Sequence, residues 1–153
     1  MSTPFDIDRF LAQPLVARVA TAGLVVRPVW YLWEADCFWV FTGPWSGLAR
    51  RLREDPRFDL SVDICDLRTG RVQQVLARGT GLVEPLDALR ARRKLVRYLG
   101  PDETAWDSRF SLAGDLDARE LRWARLVPRR IVARDLSFRP SLPITSATEA
   151  TRA

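Results

Sequence analysis

The chain has 153 residues, a formal charge of +5, 47% hydrophobic and 28% charged residues, which is the size and balance of one folded domain. It has no histidine and two cysteines, Cys37 and Cys65. Those counts exclude Ser-His-Asp and Cys-His nucleophile systems in their common form, histidine-ligated haem and a structural zinc site.

Thr3-Pro4 followed by Asp6 and Asp8 predicts a helix start with Thr3 as cap, Ile7, Phe10 and Leu11 on one face, and an end at Pro14. Residues 15–21 and 24–33 read as strands around an Ala22-Gly23 turn, and 37–42 as a third after Glu34-Ala35-Asp36. The period then changes from two to about 3.6. Ser46 is placed to cap a helix over 47–54, with Leu48 and Leu52 inward, and Asp55-Pro56 stops it.

Phe58, Leu60, Val62 and Ile64 alternate with Asp59, Ser61 and Asp63, a half-buried antiparallel strand. A long strand over 72–84 carries Gly79 and Gly81 on its small face, which fits either a bulge or the close approach of a ligand or partner. A helix over 86–99 turns Leu86, Leu89, Val96 and Leu99 inward and a stripe of Arg90, Arg93 and Arg97 to solvent. Trp106 and Phe110 predict a further short helix. A last strand over 121–134 is expected to break near Pro128. These elements make an α+β protein with a six-stranded antiparallel barrel and short flanking helices, a single domain over 1–139 and a disordered tail over 140–153.

No apolar run approaches the ~18 residues of a membrane span, and no basic-then-apolar amino-terminal signal is present. Two reduced thiols then point to the cytoplasm. Of the 24 basic residues, Lys94 alone is a lysine. An arginine excess of this kind follows from GC-rich codon usage, though it also suits phosphate and carboxylate binding.

The segments FLAQPLVARVAT, RPVWYLW, FWVFTGPWSGLARRLREDPRFDLSVD and VLARGTGLVE resemble, in that order, the pyridoxamine 5′-phosphate oxidase-like split-barrel family. More specifically, they resemble actinobacterial members that use flavin or the deazaflavin F420. The resemblance runs over about residues 5–138, and its most specific part is RxLRxDPR, here Arg50 to Arg57. It implies a split barrel, a homodimer with a cofactor groove at the interface, and FMN or F420 as cofactor. It places the tricyclic ring near Arg27, Pro28, Val29, Trp30, Phe41 and Thr42. The phosphate falls near Thr42, Gly43, Trp45, Ser46, Arg50 and Arg51, where a helix amino terminus also attracts anions. Two positions depart from the pattern: Leu48 stands where relatives carry a lysine, and Arg51 where they carry an asparagine.

The resulting expectation is an oxidoreductase that reduces a small conjugated organic molecule, with a non-catalytic ligand-binding barrel as the alternative. A nucleic-acid barrel ranks third, because no oligonucleotide signature accompanies the arginines. Among single residues, Tyr31 is either a proton donor or a barrel tyrosine. Trp30, Trp33, Trp39 and Trp45 are either stacking platforms or packing groups. Asp59 and Asp63 read as a solvated strand face, and the thiols have no neighbours that would activate them.

Overall fold

A short helix, Ile7–Leu11 (α1), opens the fold and buries Phe10 and Leu11 in the main core. Its cap is Asp6, three residues beyond the expected Thr3, and the Asp6 carboxylate accepts the Arg9 N–H at 3.0 Å. Starting there leaves Phe5 just outside the helix, where its ring packs 5.1 Å from Phe10 as a hydrophobic staple. The computed structural model describes residues 3–141.

Six antiparallel strands follow: Val16–Thr21 (β1), Val25–Glu34 (β2), Cys37–Thr42 (β3), Arg57–Asp66 (β4), Arg71–Pro85 (β5) and Arg122–Asp135 (β6). They close into a barrel in the order β1-β2-β3-β6-β5-β4. Helix Leu48–Glu54 (α2) joins β3 to β4, and Ala88–Leu99 (α3) follows β5. The alternation expected for β4 holds, with Phe58, Leu60 and Val62 inside beside Val19, Val75 and Leu126. A second cluster, of Leu32, Trp39, Ala91 and Trp123, lies between the barrel and α3.

The barrel parts at one place. Strand β2 pairs with β1 over Val25–Trp30 but with β3 only over Tyr31–Glu34, while β3 continues to Thr42 alongside β6. Beyond the Tyr31–Val40 pair, β2 and β3 therefore separate. The β1–β2 ladder also ends there, at Val16, and Tyr98 of α3 supplies the missing rung. Its hydroxyl accepts the Tyr31 N–H at 3.1 Å and donates to the Leu15 carbonyl at 2.7 Å. Tyr98→Phe keeps the ring but strands these backbone groups, so it is expected to cost about 1–3 kcal/mol, measured by urea denaturation.

Strand β6 is continuous where a break was expected. Arg78 pairs with Arg130 and Gly79 with Pro128, which leaves Arg129 as the extra residue of a bulge. The bulge lets Pro128, which has no N–H, stay in the strand. A Cβ on Gly79 would lie 1.9 Å from the Val127 carbonyl oxygen, and one on Gly81 would lie 2.8 Å from Leu52 of α2. Both glycines thus make room for the protein's own packing.

Helix α3 buries a different face from the one expected. Ala91, Lys94 and Leu95 are inside, whereas Leu89 is 69% exposed. Asp87 caps the helix, so Leu86 precedes it and packs on the second cluster, and the Tyr98 hydroxyl fixes the rotation. The arginine stripe is likewise partly covered: Arg90 lies 3.8 Å over the Trp39 ring, and Arg93 pairs with Glu34 at 2.7 Å.

Two single 3₁₀ turns, Glu103–Ala105 and Ser108–Phe110, replace the helix expected after Pro101. Asp102 and Asp107 each accept a backbone N–H two residues on, which stops helix propagation. Residues 136–140 return along the β4–β5 turn, where the Phe138 N–H donates to the Gly70 carbonyl at 2.9 Å. Residues 142–153, most of the expected tail, lie outside the described residues. Among the described residues no helix is long and apolar enough to cross a membrane.

Candidate functional site

The parting of β2 and β3 opens a cleft of about 510 Å³. Pro28, Val29 and Trp30 form one lip, Phe41, Thr42 and Trp45 the other, and α3 supplies Lys94 and Leu95. Residues 109–112 together with Arg119, Leu121 and Arg122 complete the wall. A smaller cavity of about 260 Å³ shares Pro28, Val29, Phe41 and Trp45 and adds Thr21, Arg27, Ser46, Gly47 and Arg51. Each of the ring-side residues named from the sequence lines one or both spaces.

The phosphate-side residues divide. Arg51 turns back toward the start of α2, where its Nε donates to the Thr21 hydroxyl at 3.1 Å. Gly47 makes this possible, since a Cβ there would lie 2.6 Å from the guanidinium. Arg50 points away from both spaces and pairs with Glu54 at 3.0 Å. Gly43 lines neither space but carries the Trp45 indole, and a Cβ there would lie 2.3 Å from that ring. Trp45 is 68% exposed and borders both spaces. Helix α2 has Gly47 at its cap position rather than Ser46, and the Ser46 hydroxyl accepts the Leu48 N–H at 3.2 Å. One of the helix's amino-terminal donors is therefore already used, and the positive charge of the small cavity comes from Arg27 and Arg51. Among the described residues no carboxylate lines it.

The aromatic residues have distinct tasks. Trp30 stacks on Tyr98, with centroids 4.6 Å apart at 7°, and on Phe110 at 5.7 Å, so it is a fixed wall rather than a free platform. Trp33 bonds Asp8 and Trp39 bonds the Glu34 carbonyl; both are packing groups. Tyr31 is fully buried among core residues, with its ring against Phe38, and lines neither space. Burial pushes its phenol far above the usual range, which does not suit it as a proton donor.

The cleft's polar inventory is one-sided. The Thr42 hydroxyl is buried without a hydrogen-bond partner among the described residues. Arg109 and Arg122 are paired with Asp107 and Asp117, and Arg119 donates to the Ser111 carbonyl. Lys94 is 3% exposed, and its Nζ lies 3.8 Å from the centre of the Phe41 ring with no hydrogen bond or ion pair among the described residues. Burial without a counter-charge lowers its pKa to about 7. Again no carboxylate among the described residues lines the space. Aromatic walls with unmatched donors suit a planar ring whose edge carries acceptors, and the volume lies in the ordinary range for small-molecule sites.

Sequence reasoning missed Lys94. The available signal was its phase: Ala91, Lys94, Leu95 and Tyr98 stand at i, i+3, i+4 and i+7, the spacing of a buried stripe.

No protein-family model and no curated protein matches this chain. Solved structures do share its fold. An FAD-binding protein from Mesorhizobium loti superposes with a TM-score of 0.64 at 20% identity, covering 89% of this chain and 96% of that one. An F420 reductase gives 0.59 at 18% identity, covering 84% and 98%. A conserved hypothetical protein from Mycobacterium tuberculosis gives 0.60 at 17%, covering 87% and 86%. The chain thus shares its fold with proteins that include an FAD-binding protein and an F420 reductase.

Proposed function

We propose that this protein is a flavin- or deazaflavin-binding oxidoreductase of the pyridoxamine 5′-phosphate oxidase-like type, acting on a small conjugated molecule. The observation that carries the reading is the cleft between β2 and β3, aromatic-walled and, among the described residues, lined by donors without carboxylates. The names of the FAD-binding and F420 reductase neighbours support the cofactor class. The bound cofactor would supply hydride or electron transfer; the protein's share is to bind, orient and tune it. Pro28, Val29, Trp30, Phe41 and Thr42 would hold the ring, with Trp45 at the mouth. Arg27 and Arg51 would receive the phosphate. Leu48 is packed in the core, so Arg51, turned back over Gly47, takes over the charge that relatives carry at that position.

A homodimer belongs to the same reading, supported by Val26 and Leu82, apolar side chains more than half exposed on the barrel. The non-catalytic binder remains the second reading, because among the described residues Lys94 alone in the cleft is an evident proton carrier.

Titrating the protein with FMN, FAD and F420, with light scattering to report mass, tests the proposal. Tight binding of one cofactor by a dimer is expected; no binding of any would overturn it. Binding without reduction of any electron acceptor would select the binder. Arg51→Glu should weaken FMN binding about 100-fold, since it removes a charge-assisted bond of about 1.5–3 kcal/mol and adds repulsion. Riboflavin, which has no phosphate, should bind both proteins alike.

A further inference from the structure

Lys94 is the one lysine in a chain otherwise basic through arginine, and α3 carries it on its buried face. Charged groups face the cleft around it from two other segments: Arg109 and Arg119 from the stretch between α3 and β6, and Arg122 from β6. Strand β3 faces it with Phe41 and Thr42 and β2 with Pro28, Val29 and Trp30, none of them titratable. Each of those arginines already has a protein partner, while among the described residues the Lys94 amine has only the Phe41 ring. A buried amine with no counter-charge is costly to the fold unless it stays neutral or meets an anion.

We propose that Lys94 is the proton-accepting residue of the cleft: when a flavin-type ring held there is reduced by two electrons, the Lys94 amine takes up a proton and pairs with the negative charge left on the ring. This rests on the cofactor reading above. The balance is two electrons from an external reductant, such as dithionite, into the ring, one proton to the ring and one proton from solvent to Nζ. No bond forms between the ring and the protein, and the one new bond on the protein is the third N–H of Lys94. Two properties of the site favour the step. Above about pH 7 the amine is largely neutral before reduction, and a new anion in the same apolar space favours its charged form. The cation–π contact with Phe41 then adds to the same preference.

The test is the midpoint potential of the full-length protein between pH 7.5 and 9, measured by dye equilibration. The protein is loaded with FMN, or with F420 where FMN does not bind. Uptake of one proton per two electrons changes the potential by about 30 mV for each tenfold change in proton activity, and uptake of two by about 59 mV. The wild type should follow the steeper line. Lys94→Met and Lys94→Gln, both neutral, should follow the shallower one. A wild-type slope of about 30 mV per pH unit overturns the proposal without recourse to any variant, and so do equal slopes in all three proteins. Failure of the wild type to bind either cofactor overturns the cofactor reading, and this inference falls with it.

Discussion

Folding stability is expected to rise by about 3 kcal/mol between pH 7 and pH 9.5, unusual behaviour for a protein with a surface of carboxylates and arginines. The cause is Lys94, whose pKa falls from the ordinary 10.5 to about 7 on folding because burial penalises its charged form. Between those two values the unfolded chain holds a proton at Nζ that the native state does not. Each pH unit in that window therefore adds about 1.4 kcal/mol to stability. Below about pH 7 both states are protonated, and the contribution is flat at its least favourable level. Carboxylates such as Asp55, held down to about 2 by Arg57, act at far lower pH. The buried phenols of Tyr31 and Tyr98 act only above pH 10, where they reverse the trend. Urea denaturation at half-unit intervals checks this, with Lys94→Met expected to lose the slope and to be more stable than wild type at pH 7. A flat wild-type profile would mean that the amine reaches water.

Gly79→Ala is expected to cost about 3 kcal/mol or more, because the new methyl group would meet backbone rather than a movable side chain. Relief requires β5 to move away from Val127 and Pro128 and to give up the bulge that keeps Pro128 within β6. Gly81→Ala first meets the ends of Leu52 and Leu126, which can move, and should cost about 1 kcal/mol. Comparing the two denaturation midpoints separates a bulge from a generally crowded strand. Equal, small losses would contradict the bulge account.

The strands were legible because β-branched and aromatic residues alternate between Gly, Pro and Asp turns, as in Phe58–Ile64 and Cys37–Thr42. The cleft's two lips were legible only through family resemblance. No local pattern says that β2 leaves β3 at Tyr31, since that depends on Tyr98 arriving from 67 residues away. Hydropathy placed Leu89 inside and left Lys94 aside. The helix instead turned on a cap at Asp87 and a hydroxyl contact at Tyr98, neither of which hydropathy measures. Arg50 and Arg51 are neighbours in sequence with opposite destinations, one on Glu54 and one on Thr21 in the small cavity. Consecutive helical residues point about 100° apart, so proximity in the chain could not join them in one site.

The account's central claim is that the separation of β2 from β3 is a cofactor cleft, and a crystal structure of the protein with its tightest-binding flavin or deazaflavin tests it most directly. The ring should lie between Val29–Trp30 and Phe41–Thr42, within reach of Lys94, with the phosphate beside Arg51. A ring seated instead in the outer groove rimmed by Arg18, Arg78, Arg130 and Arg134, with the cleft holding only water, would contradict it.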